Sequence, residues 1–285
     1  MKSTWKWALV GLGAIALFGG VVKASNVISE RAEAMLGQRY PLAPSSVHVV
    51  ASAEAIARGA HLTTVTACGA CHGRDLSGGA LTLSGSTLYA PNLTRVSRTT
   101  SDAALDRAIR QGLRADGTSE LAMPSQAYAG FTDDEVASMI AYLRSLEPKG
   151  PAPKQPPFDL LLRANLVRGE LKTEQAQTTH IKPPIAAGPS VESGRRLAGI
   201  ACGQCHGTDL AGGGAAPGPD VTVRGYYYRK QFHTLMRTGA GVGQNLDLMA
   251  STAVASFSHF TDPEIDAIYD YLIARDLRLA VKKGS

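Results

Sequence analysis

Cys68-Gly69-Ala70-Cys71-His72 and Cys202-Gly203-Gln204-Cys205-His206 are two copies of one pattern, Cys-x-x-Cys-His. This is the attachment signature of c-type haem. Two thiols three positions apart reach the two vinyl groups of one porphyrin, and the adjoining histidine is placed to ligate the iron. The two copies use all four cysteines of the chain, so none is left for a disulfide. A zinc site would want four ligands from paired knuckles. A thioredoxin-like redox pair needs no trailing histidine. The duplicated pattern therefore predicts two covalently attached haem c groups, iron included, held through Cys68, Cys71, Cys202 and Cys205.

At 285 residues the chain is long enough for about two domains. Aromatic residues make up only 6% of it, which suits small domains whose core is largely porphyrin. The net charge of +5 does not sit on the haem motifs: residues 48–148 carry −2 and residues 191–285 carry +1. The clustered basic footprint of a nucleic-acid binder is missing.

The first residues, Met1-Lys2-Ser3-Thr4-Trp5-Lys6, precede an apolar run from Trp7 to Val22 and then Lys23. A positive start followed by such a run reads as an export signal over residues 1–25. The run of 16 residues falls between a signal-peptide core and a comfortable membrane span. Trp5, Trp7, Lys2 and Lys6 suit an interfacial anchor, and the sequence stays helix-compatible through Leu36. Val22-Lys23-Ala24 is the nearest approach to a cleavage site. Anchored or cleaved, the bulk is expected on the periplasmic side of the cytoplasmic membrane, with a soluble periplasmic form as the alternative.

The halves repeat beyond the haem motif. Cys71-His72-Gly73-Arg74-Asp75-Leu76-Ser77-Gly78-Gly79 matches Cys205-His206-Gly207-Thr208-Asp209-Leu210-Ala211-Gly212-Gly213. Pro91-Asn92-Leu93-Thr94 matches Pro219-Asp220-Val221-Thr222, and Ile109-Arg110-Gln111-Gly112 matches Met236-Arg237-Thr238-Gly239. Phe131-Thr132-Asp133-Asp134-Glu135-Val136 matches Phe260-Thr261-Asp262-Pro263-Glu264-Ile265. The last block predicts a capping box with a hydrophobic staple, so each half ends in a helix, over 133–146 and 262–275. Ser52 is placed to cap a helix toward Val65, and Pro189-Ser190 to open one toward Leu197. A further helix is expected over 102–111, stopped by Gly112, with a counterpart over 228–237 stopped by Gly239. No long alternating strand pattern is present. Proline-rich residues 149–189 read as a linker, but Phe158-Asp159-Leu160-Leu161-Leu162 is too apolar to be freely solvated and is expected to pack on a haem domain.

The order helix, Cys-x-x-Cys-His, loop, helix, methionine loop, capped terminal helix resembles class I cytochrome c. The resemblance implies a mainly α fold: two tandem class I cytochrome c domains, 48–148 and 190–280, joined by the Pro-rich linker and preceded by an N-terminal hydrophobic helix. It implies that the first and last helices of each domain cross where Gly59 meets Tyr142 and Gly194 meets Tyr271. It makes His72 and His206 the proximal iron ligands. Met123, followed by Pro124 as in the family, is the expected sixth ligand of the first iron; Met139 reads as core. Met249 is the expected ligand of the second, but Ala250 replaces proline and the loop is longer, so His233 and His259 remain competitors. Met236 reads as core, and His48, His61 and His180 sit in no motif. The function implied is one-electron transfer between a periplasmic or membrane dehydrogenase and a downstream respiratory acceptor such as an oxidase or small cytochrome. The other class is a dihaem enzyme of peroxidase type, with an open or labile site at the second haem.

Overall fold

The computed structural model describes residues 2–178, 181–213, 218–243 and 246–284. A leading helix α1 (Lys2–Leu36) precedes the first half. That half comprises α2 (Ala53–Val65), α3 (Cys68–His72), a hairpin of β1 (Gly79–Leu83) and β2 (Ser86–Ala90), α4 (Leu93–Thr99), α5 (Asp102–Gln111), one-turn α6 (Ser125–Tyr128) and α7 (Asp133–Ser145). Two helices, α8 (Leu160–Arg168) and α9 (Glu174–Thr178), lie between the halves. The second half comprises α10 (Glu192–His206), α11 (Arg229–Thr238), α12 (Asp247–Ala255) and α13 (Asp262–Gly284), with 3₁₀ turns at Pro189–Val191 and Phe257–His259.

The helix ends follow from the residues at them. The Ser52 hydroxyl accepts from the Ala55 amide at 3.1 Å, and Ser101 from Ala104 at 3.3 Å. Both capping boxes close: Thr132 and Glu135 exchange bonds of 2.9 and 3.3 Å, Thr261 and Glu264 of 2.8 and 3.4 Å. Gly112 (φ +65°) and Gly239 (φ +74°) end α5 and α11 in the left-handed region. Helix α13 outruns its expected end at Arg275, because no glycine or proline follows before Gly284.

Two expectations about local structure need correction. Helix α10 does not stop at Leu197 but runs unbroken through the second Cys-x-x-Cys-His to His206. The first half breaks at this point. It holds one more residue between its crossing glycine and its first cysteine, and the surplus is taken up at Ala67 in the left-handed region (φ 60°). The Thr63, Thr64 and Thr66 hydroxyls bond back to the Gly59, Ala60 and Leu62 carbonyls there. The second correction is the β1–β2 hairpin. Its Ser84-Gly85 turn has positive φ at both positions (47° and 82°), the primed geometry that matches strand twist.

Residues 149–178 are strapped onto the first half, whereas residues 181–189 pack on the second, where the Tyr271 hydroxyl donates to the Ile185 carbonyl at 3.1 Å and Arg195 to the Pro184 carbonyl at 3.2 Å. Leu162 and Leu166 of α8 are fully buried with Leu121, against Leu36, Leu83, Leu88, Phe158 and Leu171. Arg163 pairs with Glu33 of α1 at 2.8 Å, and the Asn92 amide donates to the Lys149 carbonyl at 2.6 Å. Among the described residues no helix is long and apolar enough to cross a membrane. The side chains of the leader ahead of Leu17, Trp5 and Trp7 among them, lie outside those described, as does His180.

Each half is organised on one helix crossing, α2 over α7 and α10 over α13. A Cβ on Gly59 would overlap the Ser138 carbonyl and lie 2.8 Å from the Tyr142 Cβ; one on Gly194 would overlap the Ala267 carbonyl and lie 3.0 Å from the Tyr271 Cβ. The same helices join the halves with approximate twofold symmetry. Arg196, two residues after its crossing glycine, makes both oxygens of Glu135 its partners at 2.7 Å. His61, the equivalent residue of α2, meets both oxygens of Glu264 at 2.9 and 3.1 Å. Both acids are also the capping acids of the terminal helices. Ile200 packs into the core of the first half and Val65, its counterpart, into that of the second.

Gly59→Ala should destabilise the first half by about 2 kcal/mol or more, because a backbone carbonyl cannot yield to a methyl group as a flexible side chain can. Denaturant unfolding followed at the first-half helices checks this, and an unchanged midpoint contradicts it. The two ion pairs should also differ with pH. The bond to Glu264 raises the His61 pKa above its ordinary 6.5, with burial opposing. Burial favours a higher Glu264 pKa, but the bonds from His61 and Thr261 leave it below its ordinary 4.5. The His61 contribution is complete below 6.5 and is lost as pH rises through its raised native value; the Glu264 contribution is complete above 4.5 and is lost as pH falls through its lowered one. The pair is therefore strongest between 4.5 and 6.5 and weakens as pH rises through the raised His61 value. Hydrogen-exchange protection at the contact should fall over that rise, and His61→Arg, which copies the permanent charge of Arg196, should abolish the fall.

Candidate haem-binding sites

Each motif presents its three functional side chains from one short stretch of helix, α3 in the first half and the last turn of α10 in the second. Helical spacing places the two cysteines on one side and the histidine immediately beyond. None of the four cysteines is in a disulfide. Burial pushes the Cys68 thiol up to about 11 and the Cys202 thiol up to about 12, and raises Cys71 and Cys205 as well. A dithiol redox pair needs a lowered thiol pKa for attack, so these environments oppose that use. Among the described residues no three His, Cys, Asp or Glu side chains gather in the manner of a zinc site.

The histidines are oriented in the same way. His72 Nδ1 lies 2.9 Å from the Pro91 carbonyl, and His206 Nδ1 lies 2.7 Å from the Pro219 carbonyl. A carbonyl oxygen only accepts, so Nδ1 carries the proton and donates. Nε2 is then left with its lone pair free for a metal. Burial lowers the His72 pKa despite the bond to Pro91, which keeps the ring neutral. The residues present therefore fit iron coordination by His72 and His206.

The loop that carries the proline carbonyl is held differently in the two halves. Leu76 and Leu210 both occupy the left-handed region (φ 59° and 62°) and are buried. Their carbonyls accept from Leu93 and Val221 at 2.9 and 3.1 Å. In the first half the hairpin and residues 149–151 cover this loop. In the second half Arg275, 1% exposed, donates to the Leu210 and Val221 carbonyls, both at 2.9 Å, and pairs with Asp220 at 3.1 Å. Asp276 accepts from the Val223 and Arg224 amides, both at 2.9 Å. Sequence reasoning gave Pro91, Pro219, Arg275 and Asp276 no role. The prolines had a signal, since they head a repeated block. Arg275 and Asp276 had none, because their first-half counterparts stand where α7 has ended.

Met123 lies in irregular chain just before α6 and packs against the cluster that contains Cys68, Leu76 and Leu105. Met249 and Cys202 both pack against the cluster that contains Leu210 and Val223. It sits on the first turn of α12 rather than in a loop. Pro124 disfavours helical backbone at Met123, whereas Ala250 lets the helix run through. The alternatives are buried in helices, paired or exposed. Met139 and Met236 are 3% and 1% exposed within helices, and His233 pairs with Asp266 at 3.0 Å. His259 is exposed at the end of a 3₁₀ turn.

Comparison with known proteins agrees with this geometry. Residues 56–147 match the cytochrome c family profile, and residues 189–272 match that of cytochrome c oxidase, cbb3-type, subunit III. The chain is 36% identical over 138 residues to the fructose dehydrogenase cytochrome subunit of Gluconobacter japonicus, an alignment covering 43% of this chain and 27% of the relative.

Arg275→Met should cost the second half about 3 kcal/mol or more, since it leaves the buried Asp276 carboxylate without a guanidinium and unties two carbonyls. Thermal unfolding of the holoprotein should show one half melting early and the other unchanged. A single unshifted transition would contradict the assignment.

Proposed function

Because each half of the chain belongs to the class I cytochrome c family and carries one covalent c-type haem, we propose that the protein is a dihaem electron carrier that takes electrons from a dehydrogenase and passes them to a respiratory acceptor. The haems supply one-electron chemistry at iron when bound. Cys68, Cys71, Cys202 and Cys205 hold them by thioether bonds, and His72 and His206 supply the proximal nitrogens. The observation that carries this reading is the matched pair of Nδ1-to-proline bonds, which leaves Nε2 free in both halves.

Met123 and Met249 serve as the sixth ligands. Each packs against the same hydrophobic cluster as a motif cysteine of its own half, and the rival side chains are buried in helices, paired or exposed. A thioether opposite an imidazole favours the reduced state relative to two nitrogens, as suits a carrier that accepts electrons from a dehydrogenase. The donor class rests on the likeness to a dehydrogenase cytochrome subunit. Attachment of c-type haem takes place outside the cytoplasm, which assigns the bulk of the chain to the periplasmic side, with the leader as export signal or anchor. The helical setting of Met249 favours a second reading at one point: a methionine on α12 would hold the second iron less firmly than one followed by proline, as a peroxide-reducing site would require.

Mixing the reduced protein with an excess of a high-potential acceptor cytochrome should reoxidise both centres rapidly, while hydrogen peroxide should do so negligibly. Fast turnover of peroxide would replace the carrier by the enzyme. Met123→His should remove the sulfur-to-iron near-infrared band of one centre and lower that centre's potential alone. An unchanged spectrum would assign the first iron to another ligand.

A further inference from the structure

The two residues inside the second Cys-x-x-Cys-His both face the first half. Gly203 packs on Ala127 of α6, where an added Cβ would lie 3.5 Å from the alanine Cβ. The Gln204 amide donates to the Tyr128 hydroxyl at 3.3 Å and to the Thr66 carbonyl at 3.4 Å. The Tyr128 hydroxyl in turn donates to that same carbonyl at 2.8 Å. Tyr128 is 3% exposed, and burial pushes its phenol well above the usual value, so it stays protonated and remains a donor. Thr66 stands two residues before Cys68, with its hydroxyl 3.6 Å from the Cys68 sulfur. Gln204 is bonded directly to Cys205. A chain of covalent and hydrogen bonds therefore runs from one attachment cysteine to the other through two side chains.

The bridge breaks the symmetry of the interface. The counterpart of Tyr128 is Phe257 and that of Gln204 is Ala70, so the related position offers no hydroxyl and no amide. The ion pairs Arg196–Glu135 and His61–Glu264 already hold the halves together in a symmetric way. The polar bridge adds a connection between the motifs themselves. Tunnelling decays less steeply along bonds and hydrogen bonds than across van der Waals gaps.

We propose that the Thr66–Tyr128–Gln204 bridge is the preferred route for electron exchange between the two centres, with Tyr128 and Gln204 as its positioning residues. This rests on the dihaem carrier reading. One electron leaves the ferrous iron of one half and reduces the ferric iron of the other, with no bond made or broken and no proton moved.

The test uses the full-length holoprotein, oxidised, given a laser-generated pulse of less than one electron per chain. Redistribution between the centres appears as a phase whose rate is independent of protein concentration. Tyr128→Phe and Gln204→Ala borrow the residues of the related position, and the double variant should slow this phase severalfold. Arg196→Ala, which loosens the interface away from the bridge, should slow it less. Haem content, ligand-field spectra and both potentials are measured first in every variant; their constancy keeps the carrier reading intact whatever the kinetics show. An unchanged rate in the double variant overturns the proposal, as does an equal slowing by Arg196→Ala or the absence of a concentration-independent phase in the parent. A parent protein with fewer than two haems would instead overturn the carrier reading.

Discussion

The bond from a histidine Nδ1 to a proline carbonyl is the constraint on which each half depends. It selects one tautomer, fixes the plane of the ring and points Nε2 away from the backbone. It also demands that a loop return to within hydrogen-bonding reach of the helix that carries the motif. The left-handed leucine after each motif makes that return, and the rest of each half secures it. The first half uses a hairpin and a strap of chain between the domains. Among the described residues the second half has no such hairpin and uses a buried arginine and aspartate on an extended terminal helix. Two solutions to one geometric demand explain why α13 is longer than α7 and why residues 149–178 lie on the first half.

The crossing helices link that local geometry to the assembly of the two halves. A glycine at each crossing lets the backbones approach, and this brings the capped start of the terminal helix beside the first helix. The capping glutamate thus does two jobs, closing its own helix and binding a cation from the other half. Because both halves have the same construction, the contact is reciprocal. The exchange of histidine for arginine makes one of the two pairs sensitive to pH, and the exchange of tyrosine and glutamine for phenylalanine and alanine puts a polar bridge on one side only. Side chains along the interface are buried as in a packed core, with Val65 at 1% and Ile200 at 3% exposed.

Much of this was legible before any coordinates. The duplicated motif, the capping boxes, the helix-ending glycines and the crossing glycines are short-range patterns whose physics is local, and the structure places them as read. The hairpin was missed although Ser84-Gly85 between two short apolar runs is a turn signal, because the runs are too brief for alternation to stand out. The continuation of α10 depends on a single residue fewer between Gly194 and Cys202, which alignment of the two halves by motif alone conceals. Arg275, His61 and Gln204 act through partners 55, 203 and 76 positions away, and nothing in their immediate neighbours marks them. The helical setting of Met249 was not legible, since that follows from the missing proline and from how Ala250 packs on Gly239.

A dihaem carrier of this construction requires both irons to be coordinatively saturated by a histidine and a methionine. The direct measurement is carbon monoxide binding to the fully reduced protein, read together with the spin state of the oxidised protein by electron paramagnetic resonance. Two low-spin ferric signals, with carbon monoxide binding slow or partial at both centres, are the predicted result. A high-spin ferric signal with fast, stoichiometric carbon monoxide binding at one haem would contradict it and would assign that half to catalysis.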